Sequence, residues 1–367
     1  MTESWQAYSK PDSCVQWDKN LEEFTATIPE EQKKKIKLLS TKNPNYEYLD
    51  PSVLYAIYTA RQAVNEAGWK DGDFGINIGS SRGATQLFEK YHTDFVQTNK
   101  SPVRASPSTT LGNISTWVAQ DLKAIGPDIS HSITCSTALH ALINGIAWLQ
   151  SGMASKFLVG GSEAALTPFT LAQMRAMKLF PPDKLETEFP CRSLDLSKKQ
   201  NTMVLGEGAG AMCLELGEKE NALAYIAGIG YATETLTHAA SLSANGSCFQ
   251  KSMQMALTAD GPDDIDAIVL HAPGTVKGDQ AEMNAIKEVF GDRLPLLTSN
   301  KWKLGHTFGA SGILSMAMAI NMLTRQKFIT IPYLQDQANR SNRKINRVLV
   351  NAVGFGGNAV SILLEGI

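Results

Sequence analysis

No apolar run of about 18 residues occurs in this 367-residue chain, so the sequence offers no membrane-spanning helix. Its first residues, MTESWQAYSKPDSC, have neither a basic start nor an apolar stretch, which argues against a secretory leader. Charge of one sign is not in excess. The formal net charge of −2 speaks against nucleic acid as the main partner. Cysteine is sparse: Cys14, Cys135, Cys191, Cys213 and Cys248 are odd in number and show no CxxC spacing. That weighs against a disulfide framework and a structural zinc site, and no metal is expected. The turn Gly79-Ser80-Ser81-Arg82-Gly83 lacks both the GxGxxG spacing and a P-loop lysine, so nucleotide binding is set aside. These absences point to a reducing cytoplasm, where a lone thiol can serve as a nucleophile.

What the chain does have is a core-forming composition, 43% hydrophobic and 19% charged, enough for one large domain or two ordinary ones. Its organising stretch is Ser132-Ile133-Thr134-Cys135-Ser136-Thr137-Ala138. Leu139, Leu142, Ile143, Ile146 and Leu149 follow at helical spacing. The pattern predicts a strand, a sharp turn at Cys135 and a helix that starts there, with the helix dipole favouring thiolate. Alone, the stretch better describes an inert buried cysteine.

Residues 1–20 read as a loosely held arm. Lys33, Lys34, Lys35 and Lys37 form a basic run that suits a solvated face or a docking surface for an acidic partner. A helix is expected over 51–68, with Pro51 in its first turn and Gly68 at its end. Another is expected over 107–123, capped by Ser108 or Thr109. Strands are expected over 74–79, 157–164, 203–216 and 224–231, and residues 180–202 read as loop. The second half repeats the logic, with strands over 265–270 and 294–298, helices over 250–259, 279–290 and 301–324, and a glycine-tipped hairpin over 348–364. Strand, helix and strand in this order imply βαβ units and a parallel sheet in each half.

Four glycine-flanked loops carry chemistry. They hold Cys135, His271, Lys301 with His306, and Phe355, each expected at the end of an apolar strand. Each alone is a weak signal, and a single histidine beside an apolar strand is commonly structural. Together they suit acyl transfer. A thiol would hold an acyl group as a thioester, neutral imidazoles would serve a developing oxyanion, and backbone N–H groups would form an oxyanion hole.

At these residues the chain resembles the β-ketoacyl-acyl-carrier-protein synthases, condensing enzymes of the thiolase superfamily, over about residues 24–365. The resemblance rests on Thr134-Cys135-Ser136-Thr137-Ala138, Gly160-Gly161-Ser162-Glu163-Ala164, Cys191-Arg192-Ser193-Leu194-Asp195 and Gly206-Glu207-Gly208-Ala209-Gly210. It continues through His271-Ala272-Pro273-Gly274-Thr275 with Gly278, Asp279 and Glu282, then Lys301, Gly305-His306, and Gly354-Phe355-Gly356-Gly357-Asn358. It implies an α/β, thiolase-like fold, two similar halves stacked as a five-layer αβαβα sandwich. The first half, 1–235, would hold the cysteine, and the second, 236–367, the His/Lys/His set and the glycine loop. It also implies decarboxylative Claisen condensation with malonyl-acyl-carrier protein in fatty-acid, polyketide or polyene synthesis, an elongating Cys-His-His acyltransferase. Cys135 would carry the acyl chain. His271 and His306 would bind the malonyl thioester carbonyl, and Lys301 would hold the site's hydrogen bonds with Glu282. Cys135 and Phe355 N–H groups would form the oxyanion hole, with Phe355 a gate. Thr275 would touch the phosphopantetheine arm, Thr110 and Val353 would line the acyl pocket, and Gly356 and Glu282 would also serve substrate binding. No cofactor of its own is implied. The expected partners are an acyl carrier protein and a second subunit, in a homodimer or a heterodimer with a related synthase or chain-length subunit. The rivals are a malonyl decarboxylase or acyltransferase on the same fold, and a non-catalytic chain-length-factor-like subunit.

Departures from the family pattern are specific. Pro273 stands where a threonine is usual, Val353 where a phenylalanine is common, and Thr110 where a bulky apolar residue often closes the pocket. The usual N-terminal glycine-rich strand is missing. These features resemble the synthases of aryl-polyene or flexirubin-type pigment clusters.

Overall fold

The computed structural model describes residues 2–109, 111, 113–182, 187–235, 242–257, 261–262, 264–334 and 344–367. The chain runs α1 (Thr2–Tyr8), β1 (Val15–Asp18), β2 (Glu23–Ala26), α2 (Glu30–Lys42), α3 (Pro51–Ala67), β3 (Gly75–Gly79) and α4 (Thr85–Thr98). It continues with α5 (Ala105–Thr109), α6 (Asn113–Leu122), β4 (Asp128–Ile129), α7 (Thr137–Gln150), β5 (Lys156–Glu163) and α8 (Pro168–Ala176). Then come β6 (Leu205–Gly206), β7 (Gly208–Glu215), β8 (Tyr225–Thr233), α9 (Ser247–Ala256), β9 (Ala267–Val269) and α10 (Val276–Phe290). Last are β10 (Leu296–Thr298), α11 (Lys301–Leu304), α12 (Ser311–Arg325), β11 (Arg347–Gly354) and β12 (Asn358–Glu365).

Capping chemistry explains several ends. The Asp50 carboxylate accepts the Ser52 N–H at the start of α3, and Gly68 ends that helix with φ 70°. Thr275 caps α10 by accepting the Gly278 N–H.

Two sheets carry the architecture, in the orders β4-β3-β5-β7 and β10-β9-β11-β12-β8; a third joins β1, β2 and β6. In each large sheet the first three strands are parallel and the fourth is antiparallel. Helices α3 and α6 cover the outer face of the first sheet, α9 and α10 that of the second, and α7 and α12 lie between the sheets. This is the expected five-layer α/β sandwich. Its central core joins Leu142, Ile146 and Val159 of the first half to Met316, Val350 and Ile362 of the second. Strand β8, which a split at residue 235 assigns to the first half, hydrogen-bonds to β12 of the second sheet. We therefore propose that the halves divide in the turn before Tyr225.

Local expectations failed where side chains found better partners. The N-terminal arm is packed, because Tyr8 is buried in the central core, Trp5 packs against it, and β1 pairs with β2. The helix expected over 107–123 is two, α5 and α6. Ser108 and Thr109 hydroxyls donate back to Arg104 and Ala105 carbonyls instead of capping. The strand over 203–216 breaks at Glu207, whose carboxylate takes the Ile28 N–H and the Tyr55 hydroxyl. The basic run lies on α2, where Lys33 pairs with Glu30 and Lys35 with Glu31, as suits a solvated face.

Helix α9 rests directly on β8. A Cβ at Gly230 would lie 1.8 Å from the Ser252 carbonyl oxygen. Gly230→Ala is expected to cost about 1–3 kcal/mol of stability, seen as a lower urea midpoint at unchanged slope. An unchanged midpoint would mean that α9 is free to lift away.

Candidate active site

The expected strand into Cys135 is only the two residues of β4; the chain then leaves the sheet. The His131 ring bridges Asn77 Oδ1 at 3.0 Å and the Thr137 carbonyl at 3.1 Å. The Thr137 hydroxyl takes the Ile133 N–H at 2.9 Å. These bonds wind residues 131–137 into a tight turn in which Thr134 is left-handed, φ 46°. Cys135 sits two residues before α7, buried to 5% exposure. Burial pushes its thiol up to about 12, with Glu163 adding to the rise. The resting group is therefore a thiol, not the thiolate that its place before a helix suggested.

The thiol has an imidazole beside it. His306 Nε2 lies 3.1 Å from Cys135 Sγ, and its Nδ1 lies 3.1 Å from Ser311 Oγ. The His306 backbone is clamped by β6, through bonds to Val204 O and from Gly206 N–H. That is the local role of the first glycine in Gly206-Glu207-Gly208. A Cβ there would meet the Leu304 carbonyl oxygen at 2.1 Å. Burial holds His306 neutral, with a pKa near 3, and Lys301 adds to the depression. His271 follows β9, its ring perpendicular to that of His306 with centroids 5.2 Å apart. It is likewise held well below the ordinary histidine range by burial and by His306. Its Nδ1 is buried and, among the described residues, has no hydrogen-bond partner, and the residue lines the cavity.

Lys301 begins α11 and is 1% exposed. Burial depresses its ammonium to about 8, against the upward pull of Glu282. Lys301 Nζ donates to Asn300 Oδ1 at 3.1 Å, and Glu282 acts on it through charge alone. Both Glu282 oxygens are already taken, by the His271 and Ala272 N–H groups at 3.0 and 2.8 Å and by Asn351 at 3.2 Å. Glu282 thus holds the His271 turn, where Ala272 is left-handed at φ 23°.

Phe355 lies in the β11–β12 turn, 39% exposed. Its backbone amide draws the Cys135 thiol pKa down, against the larger rise from burial. Its carbonyl accepts the Thr134 hydroxyl at 3.2 Å, and Ser136 Oγ donates to Asn358 Oδ1 at 2.6 Å. The loop can approach this closely because Gly354 has no side chain; a Cβ there would lie 1.9 Å from Thr134 Oγ1.

These groups open on a mainly apolar cavity of about 500 Å³. Cys135, His271, His306, Phe355, Val353, Gly356 and Thr275 all line it. Lys301 and Glu282 stand behind it, and Thr110 lies outside the described residues. Residues that sequence reading did not single out complete it. Phe308, left-handed at φ 43°, tilts against His306 with ring centroids 5.6 Å apart. Met174, Met203 and Phe249 line the apolar walls, and Lys199 and Lys277 line the mouth. Phe308 was within reach, two residues after His306; the methionines came from elements with no chemical signature. Among the described residues no cluster of metal-binding side chains occurs. No described helix is long and apolar enough to cross a membrane.

Burial raises the Glu282 carboxyl from its ordinary 4.5 to about 7. The folded chain holds more protons than the unfolded one between those values, so stability falls as pH rises through that window. Glu282→Gln removes this slope. The variant's stability deficit is expected to be largest near pH 4.5 and to shrink toward pH 7, read from urea denaturation across that range. A deficit independent of pH would mean an ionised carboxylate throughout.

Comparison with known proteins agrees with this geometry. Residues 3–220 match the family model of the β-ketoacyl synthase N-terminal domain, and residues 223–333 that of the C-terminal domain. The 3-oxoacyl-(acyl-carrier-protein) synthase 2 of Vibrio cholerae serotype O1 is 28% identical over 347 residues, 86% of this chain and 83% of the relative. The fold matches the ishigamide ketosynthase/chain length factor at TM-score 0.84 and 18% identity, covering 100% of this chain and 95% of that one. It also matches a type II polyketide synthase acyl-carrier protein in complex with its ketosynthase bound to the hexaketide, at TM-score 0.77 and 22% identity, covering 86% and 85%. With both domain models matched along most of its length, the chain belongs to the β-ketoacyl synthase family.

Proposed function

We propose that this chain forms a carbon–carbon bond between an acyl group held on Cys135 and a malonyl thioester on an acyl carrier protein. The observation that carries the reading is the 3.1 Å approach of His306 Nε2 to a buried Cys135 thiol, in a cavity that His271 also lines. In the first step Cys135 Sγ attacks the acyl-carrier thioester. His306 Nε2 takes the thiol proton and returns it to the departing carrier thiolate. The raised thiol pKa means that the proton leaves as attack proceeds, not before. The malonyl thioester then enters, and its carbonyl oxygen accepts N–H bonds from His271 and His306. The Ser311 hydroxyl can accept from or donate to His306 Nδ1, so it supports the ring as base in the first step and as donor in the second.

The malonyl carboxylate leaves as carbon dioxide, and its bonding pair becomes the enolate. The enolate carbon attacks the acyl-cysteine carbonyl. The resulting oxyanion is held by the Cys135 and Phe355 N–H groups, and collapse expels the Cys135 thiolate. Lys301 lends positive potential to the enolate from behind the histidines. Thr275 and Gly356 flank the carrier's phosphopantetheine arm, where Pro273 has no N–H to offer. The carrier's acidic face docks at Lys199 and Lys277, and a second synthase or chain-length subunit completes the assembly. The mainly apolar cavity, with Val353 in its wall, suits an extended polyene-type chain.

Incubation with acyl-carrier thioesters is expected to add the acyl mass to the intact protein, and Cys135→Ala to abolish that gain. His306→Ala should lower kcat/KM for condensation by about 10²–10⁴-fold. Malonyl-carrier turned into acetyl-carrier without any ketoacyl product would point to a decarboxylase. No acyl-enzyme with any donor would point to a non-catalytic subunit. Val353→Phe fills the acyl wall and should shift products toward shorter chains, read by mass spectrometry. An unchanged product profile would remove Val353 from the pocket that measures length.

A further inference from the structure

Helix α11 is a single turn, yet it joins two of the site's groups. Lys301 is its first residue, and His306 follows its last by two. A helix of four residues makes too few internal hydrogen bonds to hold its own shape. Its position depends on bonds from outside. On one side β6 binds the His306 backbone, through the Val204 carbonyl and the Gly206 N–H. On the other side lies the segment 10–14. Ser13 Oγ donates to the Trp302 carbonyl at 2.8 Å, and the Cys14 N–H donates to the Lys303 carbonyl at 2.9 Å. Lys303 answers with its side chain. Its Nζ donates to the Lys10 carbonyl at 2.9 Å and to the Asp12 carbonyl.

That is an uncommon place for a lysine head group. Lys303 is 3% exposed, whereas Lys10 and Asp12 above it are exposed. The ammonium is drawn inward beneath the segment, and neutral carbonyls stand in for its water shell. Burial draws its pKa below the ordinary lysine value, against the pull of Cys14 and Asp12. It also lies 5.0 Å from the centre of the Trp302 ring, the residue next to Lys301. What this cover supplies is dryness. Lys301 and His306 are both buried, and burial is the larger cause of the depressed pKa of each. The titratable groups that act on this pair, Cys135, Cys191, His271, Glu282 and Asp279, all lie outside the segment.

We propose that Lys303 is a positioning residue. By binding the carbonyls of Lys10 and Asp12 it holds the segment 10–14 over α11 and keeps water from Lys301 and His306. The consequence for acyl transfer rests on the condensation reading; the shielding itself does not.

The test compares the full chain with Lys303→Met, which keeps an unbranched apolar stem and loses the ammonium, and Lys303→Arg, which keeps the donors. Iodoacetamide labelling at pH 7 is read separately on the Cys135 and Cys248 peptides. Water admitted beside His306 favours the Cys135 thiolate, so Lys303→Met is expected to label Cys135 at least about tenfold faster. Cys248, 0% exposed in the core of the second half, should label at an unchanged rate. Lys303→Arg should return the Cys135 rate to within about threefold of the natural chain. Ser13→Ala loosens the same segment at Trp302 and should move Cys135 labelling in the same direction, which serves if Lys303→Met does not fold. Acyl transfer to Cys135 reads the consequence. In Lys303→Met it should fall below about pH 6, where a hydrated imidazole is protonated, while the natural chain stays level to about pH 5. Equal acceleration at Cys135 and Cys248 would make Lys303 a residue of global stability only and overturn the proposal. So would unchanged Cys135 labelling in both Lys303→Met and Ser13→Ala. Faster labelling at Cys135 alone, with no acyl transfer to the natural chain from any donor, would uphold the shielding and remove the condensation reading.

Discussion

The contact on which the site depends is the close meeting of α7 and α12 at their N-terminal ends, between the two sheets. Helix α7 begins just after Cys135, and α12 begins five residues after His306. Their approach is governed by residues without side chains. A Cβ at Gly312 would meet Leu139 Cγ at 2.7 Å, and one at Gly161 would meet the Gly309 carbonyl oxygen at 2.8 Å. Glu163, at the end of β5, ties the turn before α12 to the loop after β3. Its carboxylate accepts the Gly309 N–H at 3.1 Å and the Ser81 N–H. The thiol–imidazole distance is therefore set by helix packing as much as by the two side chains themselves.

The second constraint is desolvation. Cys135, His271, His306, Lys301, Glu163 and Glu282 are all buried in one region. Water exclusion pushes every one of them toward its neutral form, and Glu163 and Glu282 rise to about 8 and 7. Neutral imidazoles suit a reaction whose negative charge appears on an enolate or an oxyanion, because they can donate N–H bonds from the outset. Backbone N–H groups on the two glutamates offset part of the cost of burying them. Left-handed Thr134, Ala272 and Phe308 stand at the three turns that bring the groups together. Such backbone strain persists only where surrounding structure holds it in place.

The halves share a plan. Cys135 lies in the first, and His271, His306, Lys301 and the loop that reaches back to Cys135 lie in the second. Among the described residues, β8 lies beside β12 and no strand lies beside β7.

Sequence alone determined a good deal. Apolar periodicity and glycine punctuation marked β3, β5, β9 and the β11–β12 hairpin, and Pro51 with Gly68 bracketed α3, because these signals act within a few residues. The chemical residues were legible for the same reason: each lies in a short loop of unusual composition beside a strand. Local pattern did not show where partners from distant segments prevailed. The arm at 1–20 packs because Tyr8 finds the core between the sheets. The strand at 203–216 breaks because Glu207 finds Tyr55 and Ile28. Glu282 takes the N–H groups of His271 and Ala272, a contact that needs α10 folded back on the loop after β9. Only the tertiary structure decided the protonation state of Cys135. A helix start argues for thiolate, but burial is a property of the whole assembly and outweighs a dipole that acts over one turn.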